Sequence, residues 1–397
     1  MRILLLTQIY SDKPISGGVR IIWNYSQELA RQGAKVFVVA NIVDADHLPQ
    51  HKNLKIYKVP FGSYALEPLK QDVLKSFFFS ILLILWHRIQ IIHMVPIQSP
   101  SPFSRFKFGA KFVESAERTW DYEGKFKDDL RKDRQSKKAR SFTLFQKIFI
   151  RFSRIFYNFF ALNEEYPQGA DAFFCRSKSL FAYLRSKGII SKLFYIPIGV
   201  NTKEFYPKFS ASKKEFVFLS STALSYRKGT HHLIDAYNEF SKKHQNASEL
   251  WLIGNSETQI LEEMKVRARG NDSIKFLDEK APDKIADYYH LCDVYISAAL
   301  ICQEGPLQPN ALEAMASGKP LIVSEYGETK EMARKKAALT FEAGNIQALS
   351  AAIEKLFLDK TLREELGKNS ASYIRENFDW EVLTVKCLNY YQDLLKK

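Results

Sequence analysis

Cysteine is scarce in this 397-residue chain: Cys175, Cys292, Cys302 and Cys387 are all there are, and none shows C-x-x-C spacing. Neither a disulfide framework nor a thiolate metal site is therefore expected, and a reducing cytoplasm suits such usage. Long apolar runs are missing as well. The most apolar stretch, Phe77 to Trp86 (FFFSILLILW), falls far short of the ~20 residues a membrane-spanning helix needs, which leaves a buried helix or an interfacial segment. The opening MRILLLTQIY has one charge before a short apolar run, lacks the form of a signal peptide, and reads as a strand. Carboxylates are in deficit, 44 Asp and Glu against 58 Lys and Arg, for a formal charge of +14. Such an excess attracts anionic partners over long range, whether nucleic acid, acidic lipid or phosphorylated substrate. No helix-turn-helix, zinc-finger or RNA-recognition signature accompanies it, so nucleic acid ranks last among these.

What is present describes a globular α/β protein. At 46% hydrophobic and 26% charged the composition is ordinary, and the length suits two domains better than one core. Ile3 to Thr7 reads as a strand, Val19 to Arg31 as a helix closed by Gly33, and Lys35 to Ala40 as the next strand, a βαβ opening. Gly17 and Gly18 stand just before that helix, where backbone could approach a diphosphate; a plain turn is the alternative. Ile89 to His93 reads as a further parallel strand ending on His93, at the edge where open α/β sheets bind ligands; a capped structural histidine is the alternative. Asp44-Ala-Asp46 has the form of a metal-binding DxD but follows a strand in a basic loop and reads as surface.

The richest stretch is Asp293 to Glu325. Val294 to Leu300 and Leu321 to Ser324 are apolar runs suited to buried parallel strands. Between them Pro309 or Asn310 opens a short helix and Gly318 closes it, with Pro320 blocking continuation. This places Glu313 in the first helical turn, where the dipole favours a carboxylate able to accept two hydrogen bonds from a ribose diol. Upstream, Glu304 supplies a second carboxylate, Gly305 permits close approach, and the amides of Leu307 and Gln308 can donate to phosphate or sugar oxygens. An ordinary βαβ unit with solvated acids is the alternative. Arg227 and Lys228 precede Thr230, which can cap a helix, and so form an anion site suited to a diphosphate; a solvated cap is the alternative.

The stretch EGPLQPNALEAMASGKPLIVSEYGE resembles the donor-site signature of retaining GT-B glycosyltransferases of family four, glycosyl transferases group 1, in which two glutamates flank a loop before an LEAMA-type helix. Eight residues separate Glu304 from Glu313, one more than is usual there. Either the loop bulges, or Gly305 takes the first-glutamate position. IPIGVNTKEFYP, from Ile196 to Pro207, resembles the family's hinge, DAFFCRS its strand before a helix, Pro282 to Cys292 its tyrosine-bearing helix, and FDWE the start of its last helix. The family arginine five residues before Lys228 is replaced by Ala223, and Val95 stands where a second histidine often follows His93.

The resemblance implies two Rossmann-like domains with parallel sheets facing a central cleft. Residues 1–198 would form an acceptor-side domain completed by a C-terminal helix at 380–397 crossing back to it, and residues 199–379 a nucleotide-sugar donor domain. It further implies sugar transfer from a nucleotide-sugar co-substrate to a glycan or lipid-linked acceptor, with retention and with neither metal nor other cofactor. Glu304, Lys228, Arg227 and His93 would be catalytic, and Gly17, Gly18, Gly305, Leu307, Gln308 and Glu313 would join Arg227 and Lys228 in binding the donor. A sugar-nucleotide epimerase, or a non-catalytic membrane or glycan-binding protein, is the alternative. Eleven Lys or Arg against three Asp lie between Lys125 and Arg154. They run into a helix expected over 142–160, with Phe145, Ile148, Phe149, Phe152, Ile155, Phe156 and Phe159 on one face and Lys147, Arg151 and Arg154 on the other. An anionic membrane surface at the cytoplasmic inner face suits that pattern; a core helix with a basic outer face is the alternative.

Overall fold

The computed structural model describes residues 1–12, 17–60, 70–95, 102–116, 151, 155, 169–208, 215–245, 247–300, 307–326 and 328–396. They divide into two compact units. One takes the described residues up to Ile198 together with those from Trp380 onward, and the other runs from Gly199 to Asp379. The helix expected over 142–160, and the basic tract before it, lie outside the described residues except for Arg151 and Ile155, both exposed.

The first unit alternates strand and helix: β1 (Arg2–Tyr10), α1 (Gly17–Arg31), β2 (Lys35–Val43), β3 (Leu54–Lys58), α2 (Lys70–His87), β4 (Ile91–Met94), β5 (Lys111–Ala116), β6 (Ala172–Cys175), α3 (Lys178–Ser186) and β7 (Lys192–Tyr195). All its strand pairs are parallel, in the order β3-β2-β1-β4-β5-β6-β7. Every residue of β1 after Arg2 is buried, because a parallel sheet is covered on both faces and its central strand has no wet side. The apolar run found in the sequence forms the second half of α2. Phe77, Ser80 and Ile84 are buried on one face, with Phe77 and Ile84 in the core beside Leu4, Val39 and Phe112, while Leu82, Leu85 and Trp86 stay exposed on the other. No helix among the described residues is long and apolar enough to cross a membrane.

The second unit repeats the pattern with β8 (Phe216–Ser221), α4 (Thr230–Lys243), β9 (Ser248–Ile253), α5 (Thr258–Ala268), β10 (Ile274–Leu277), α6 (Pro282–Leu291), β11 (Val294–Ser297), α7 (Pro309–Ala316), β12 (Leu321–Ser324), α8 (Thr329–Arg334), β13 (Leu339–Phe341), α9 (Ile346–Leu358) and α10 (Lys360–Asn377). Its strands, again parallel, lie in the order β10-β9-β8-β11-β12-β13. The chain thus builds outward from β8 to β10, returns to the middle, and builds from β11 to β13 on the other side. The break between β8 and β11 is a topological switch point, where loops leaving the carboxyl ends of two neighbouring strands diverge and open a crevice.

The last helix, α11 (Trp380–Leu395), belongs to the first unit and packs on α1. A buried hydrogen-bonded chain holds it there. The Tyr391 hydroxyl bonds the Tyr25 hydroxyl at 2.8 Å and His93 Nδ1, while His93 Nε2 bonds Ser115 Oγ at 2.9 Å, and Arg176 Nη2 donates to that same oxygen at 3.1 Å. His93 does not end its strand, as expected from the sequence; β4 continues to Met94. The ring is 1% exposed and both nitrogens are engaged, so no nitrogen is left for a sugar. Burial, and then the charge of Arg176, hold its pKa well below the ordinary 6.5.

Two outcomes follow from this chain of bonds. Tyr391→Phe, by leaving buried partners unsatisfied, should destabilise the first unit by about 1–3 kcal/mol; hydrogen exchange in β4 and β5 reads the loss directly, which matters because a two-unit chain need not unfold in one step. His93 is neutral when folded and titrates normally when unfolded, so below pH 6.5 the unfolded state binds more protons. Stability should therefore be intact above that pH and fall as pH drops through and below it. His87 and His290 shift in the same direction, so His93→Gln should flatten the slope without abolishing it, and an unchanged slope would clear His93 of the effect.

Candidate functional site

The switch point of the second unit gathers most of the expected donor residues that are described. On the β8 side, the loop over 222–229 carries Arg227 and Lys228 toward the start of α4. It is pinned against the chain leaving β11: Leu300 N donates to Arg227 O at 3.1 Å, and Gly229, with φ of +70°, lies so close that an added Cβ would sit 1.9 Å from Ala298 O. Only glycine fits there, on both conformational and steric grounds. The Lys228 residue is 8% exposed, and its backbone N–H donates to Ser225 Oγ at 3.3 Å.

Thr230 was expected to cap the helix that follows. The structure places the N-cap at Gly229 instead, with no side chain capping α4. Thr230 faces back into the loop, its hydroxyl accepting from Ser225 N at 3.2 Å. The first N–H of α4, that of Thr230, donates to Ser225 O at 3.3 Å, and the positive end of the helix dipole faces the loop before it.

On the β11 side, α7 also begins without a side-chain cap. Gln308 is its N-cap and Pro309 its first residue, where the missing N–H costs nothing. Gln308 is buried and accepts from Thr222 Oγ1 at 3.3 Å, which ties the two loops together, and Leu307 is fully buried. The amides expected to face a ligand thus belong to residues whose side chains anchor the loop inward. Glu304 and Gly305 lie outside the described residues.

Glu313 is not in the first turn of its helix. With Pro309 as first residue it is the fifth, so the dipole acts on it less than expected and local hydrogen bonds act more. The residue is 5% exposed, and its Oε2 accepts from the Tyr289 hydroxyl at 2.9 Å. Tyr289 in turn meets Ser221 Oγ at 3.0 Å, and that oxygen meets the Tyr295 hydroxyl at 3.2 Å; Asn310 Nδ2 donates to Ser221 O. Desolvation, and next the neighbouring Glu313 charge, push the Tyr289 pKa well above 10, so it stays a donor. Ser221, Thr222, Tyr289 and Asn310 were not singled out from the sequence. Tyr289 had a signal, as one of paired tyrosines on a helix preceding a buried strand; the others are small polar residues that only the fold brings together.

The remaining expected residues lie in the first unit. Gly17 and Gly18 open α1 after β1, two residues earlier than the helix start read from the sequence. His93 sits in the closed network described above. Asp44 and Asp46 lie beyond β2 in the loop, where Asp12 carboxylate oxygens accept from Asp46 N and His47 N.

Residues 201–373, nearly the whole second unit, match the family model described as glycosyl transferases group 1. Mannosylfructose-phosphate synthase of Agrobacterium fabrum is 25% identical over 203 residues, which cover 47% of this chain and 44% of that protein. The chain thus spans about half the length of the curated relatives it matches. Among solved structures, sucrose-phosphate synthase from Thermosynechococcus elongatus superposes with a TM-score of 0.73 at 18% identity, covering 100% of this chain and 99% of its own. Anabaena HepE, solved with UDP-glucose, gives 0.65 at 16% identity over 99% of this chain and 100% of its own. The match to the glycosyl transferases group 1 model is confined to the second unit, and the likeness to these solved structures gives the chain the GT-B fold.

Proposed function

We propose that the protein transfers a sugar from a nucleotide-sugar donor to a glycan or lipid-linked acceptor, with retention at the anomeric carbon and without a metal. The observation that carries this reading is the meeting of two uncapped helix starts, a buried lysine and a buried carboxylate at one switch point. Breaking the bond between the sugar and the diphosphate leaves negative charge on the departing oxygen. Lys228, Arg227 and the positive end of the α4 dipole take that charge in this reading, and preorganised electrostatics in a poorly hydrated site are the largest single source of catalytic stabilisation. Glu313, held by Tyr289, accepts hydrogen bonds from the nucleotide ribose. Glu304, or Gly305 with its backbone alone, is the residue that the family resemblance assigns to the sugar hydroxyls. HepE, captured with UDP-glucose, supports a nucleotide-sugar as the donor class. His93 receives no role in this chemistry.

Work on a lipid-linked acceptor suits a protein of +14 charge acting at the inner face of the cytoplasmic membrane, in the building of a surface polysaccharide or glycolipid. A thermal-shift screen against UDP, GDP, ADP and their sugars tests the donor class. Ligand at 100 times its Kd adds about 2.7 kcal/mol of stability. Failure of every nucleotide would remove the donor reading, and binding without turnover on any acceptor would leave a non-catalytic binder.

Lys228→Ala should weaken the nucleoside diphosphate by about 1.5–3 kcal/mol and the nucleoside hardly at all, as loss of one charge-assisted bond requires; titration calorimetry with both ligands separates them, and equal losses would move the phosphate site elsewhere. The two glutamates should differ in what they damage. Glu313→Gln is expected to raise the donor Kd with little effect on kcat, whereas Glu304→Gln is expected to lower kcat. If steady-state rates for Glu304→Gln match wild type, Gly305 holds the first-glutamate position.

A further inference from the structure

The opposite edge of the first sheet carries a concentration of charge that the carboxyl-edge chemistry does not use. Arg2 and Lys35 open β1 and β2, Lys52 and Lys55 lie just before and within β3, and Arg88 follows α2; all five line one depression of about 450 Å³. No described residue lining it is acidic. The carboxyl end of α2 brings about half a negative charge to the same place, which five whole positive charges outweigh. His87 registers the field. After burial, Lys55 and Arg2 are what hold its imidazole below the ordinary 6.5.

Beside the cations is an apolar surface. Trp86 lines the depression itself and is 85% exposed; Leu82 and Leu85, on the same face of α2, are 75% and 60% exposed, with Phe78 one turn further back. These positions lie within about a third of the helix circumference at 3.6 residues per turn, opposite the buried Phe77, Ser80 and Ile84. A soluble anion needs the cations but has no use for uncovered leucines and an indole. A bilayer interface needs both, since phosphate lies at the depth of the headgroups, acyl carbon lies beneath, and tryptophan prefers the boundary between them.

We propose that the first unit docks on an anionic phospholipid bilayer through this edge, with Lys52, Lys55 and the neighbouring cations on lipid phosphates and Leu82, Leu85 and Trp86 inserted among the upper acyl carbons. The inference deepens the membrane-side part of the function proposed above and is independent of the sugar chemistry. It differs from an attachment through residues 142–160, because the docking face is built from α2 and the amino ends of three strands.

Co-sedimentation of the full chain with phosphatidylcholine vesicles, with and without phosphatidylserine and with no sugar donor present, tests it. The wild type should bind the serine-lipid vesicles at low salt and lose them as salt rises, because exposed charges are screened within a Debye length of about 10 Å at 0.1 M. Lys52→Glu with Lys55→Glu, and separately Leu82→Ser with Trp86→Ser, should each weaken binding at least tenfold (about 1.4 kcal/mol). All four side chains are exposed, and an unchanged melting profile controls for folding. Trp86 emission should shift to the blue on binding, a change absent in Trp86→Phe. Wild-type affinity in both double variants would overturn this face while leaving membrane attachment by another. Sensitivity to charge reversal alone, with inorganic phosphate competing, would overturn the bilayer in favour of a soluble anion. No vesicle binding at all would overturn both this face and the membrane-side reading, while donor binding and turnover would stand unaffected.

Discussion

Burying the carboxylate of Glu313 is the constraint to which the second unit is built. A charge removed from water without partners costs several kcal/mol even after local relaxation, and here the Tyr289 hydroxyl is brought to it. Tyr289 is itself held by Ser221 at the end of β8, where the Tyr295 hydroxyl of β11 also arrives. One carboxylate thereby fixes the end of β8, the side chains of β11, the register of α6 and the seating of α7. The loop with Arg227 and Lys228 leaves that same strand end, so the place of the cations depends on the place of the anion. A glutamine at 313 would keep the shape and lose the charge, which separates structural from chemical roles.

Gly229 supplies the second constraint. Its left-handed backbone lets the loop press on Ala298, and a helix that starts with glycine has no side chain to satisfy its first N–H groups. Close packing and a helix start without a side-chain cap therefore come from a single residue. The arrangement resembles a socket whose floor is strand and whose wall is helix end.

Much of this was legible in the sequence, and for identifiable reasons. β12 was read at its observed limits because three buried apolar residues and a buried serine lie between a proline and a polar turn. α7 was legible from Pro309 and Gly318, and the switch between the two units from the proline- and glycine-bearing run before Pro207. What failed, failed where tertiary contacts choose among local options. Thr230 is a good cap by type, but Ser225 takes its hydroxyl. Glu313 was misplaced because two openings were available: counted from Asn310 it is the fourth residue of the helix, and from Pro309, the observed start, it is the fifth. β3 was overlooked because Leu54 to Lys58 alternates partly polar residues, as an outer strand of a sheet does. His93 looked exposed to ligand because its distant partner, Tyr391, lies 298 residues away, and no local pattern announces such a pairing.

The first unit is discontinuous, and this bears on how the protein is made. Its sheet is built from residues before 199, yet the Tyr391 hydroxyl that completes the buried chain with Tyr25 and His93 is supplied by α11, at the other end of the sequence. During synthesis, domains generally fold as units in the order they emerge. Here the order is inverted. Every residue of the second unit is synthesised before the first receives its last helix, and until then the α1 face that receives α11 is uncovered. For the interval in which 199–379 are translated, the earlier unit is an unfinished body with an apolar docking face, and the time spent in that state is set by the translation rate of its younger neighbour.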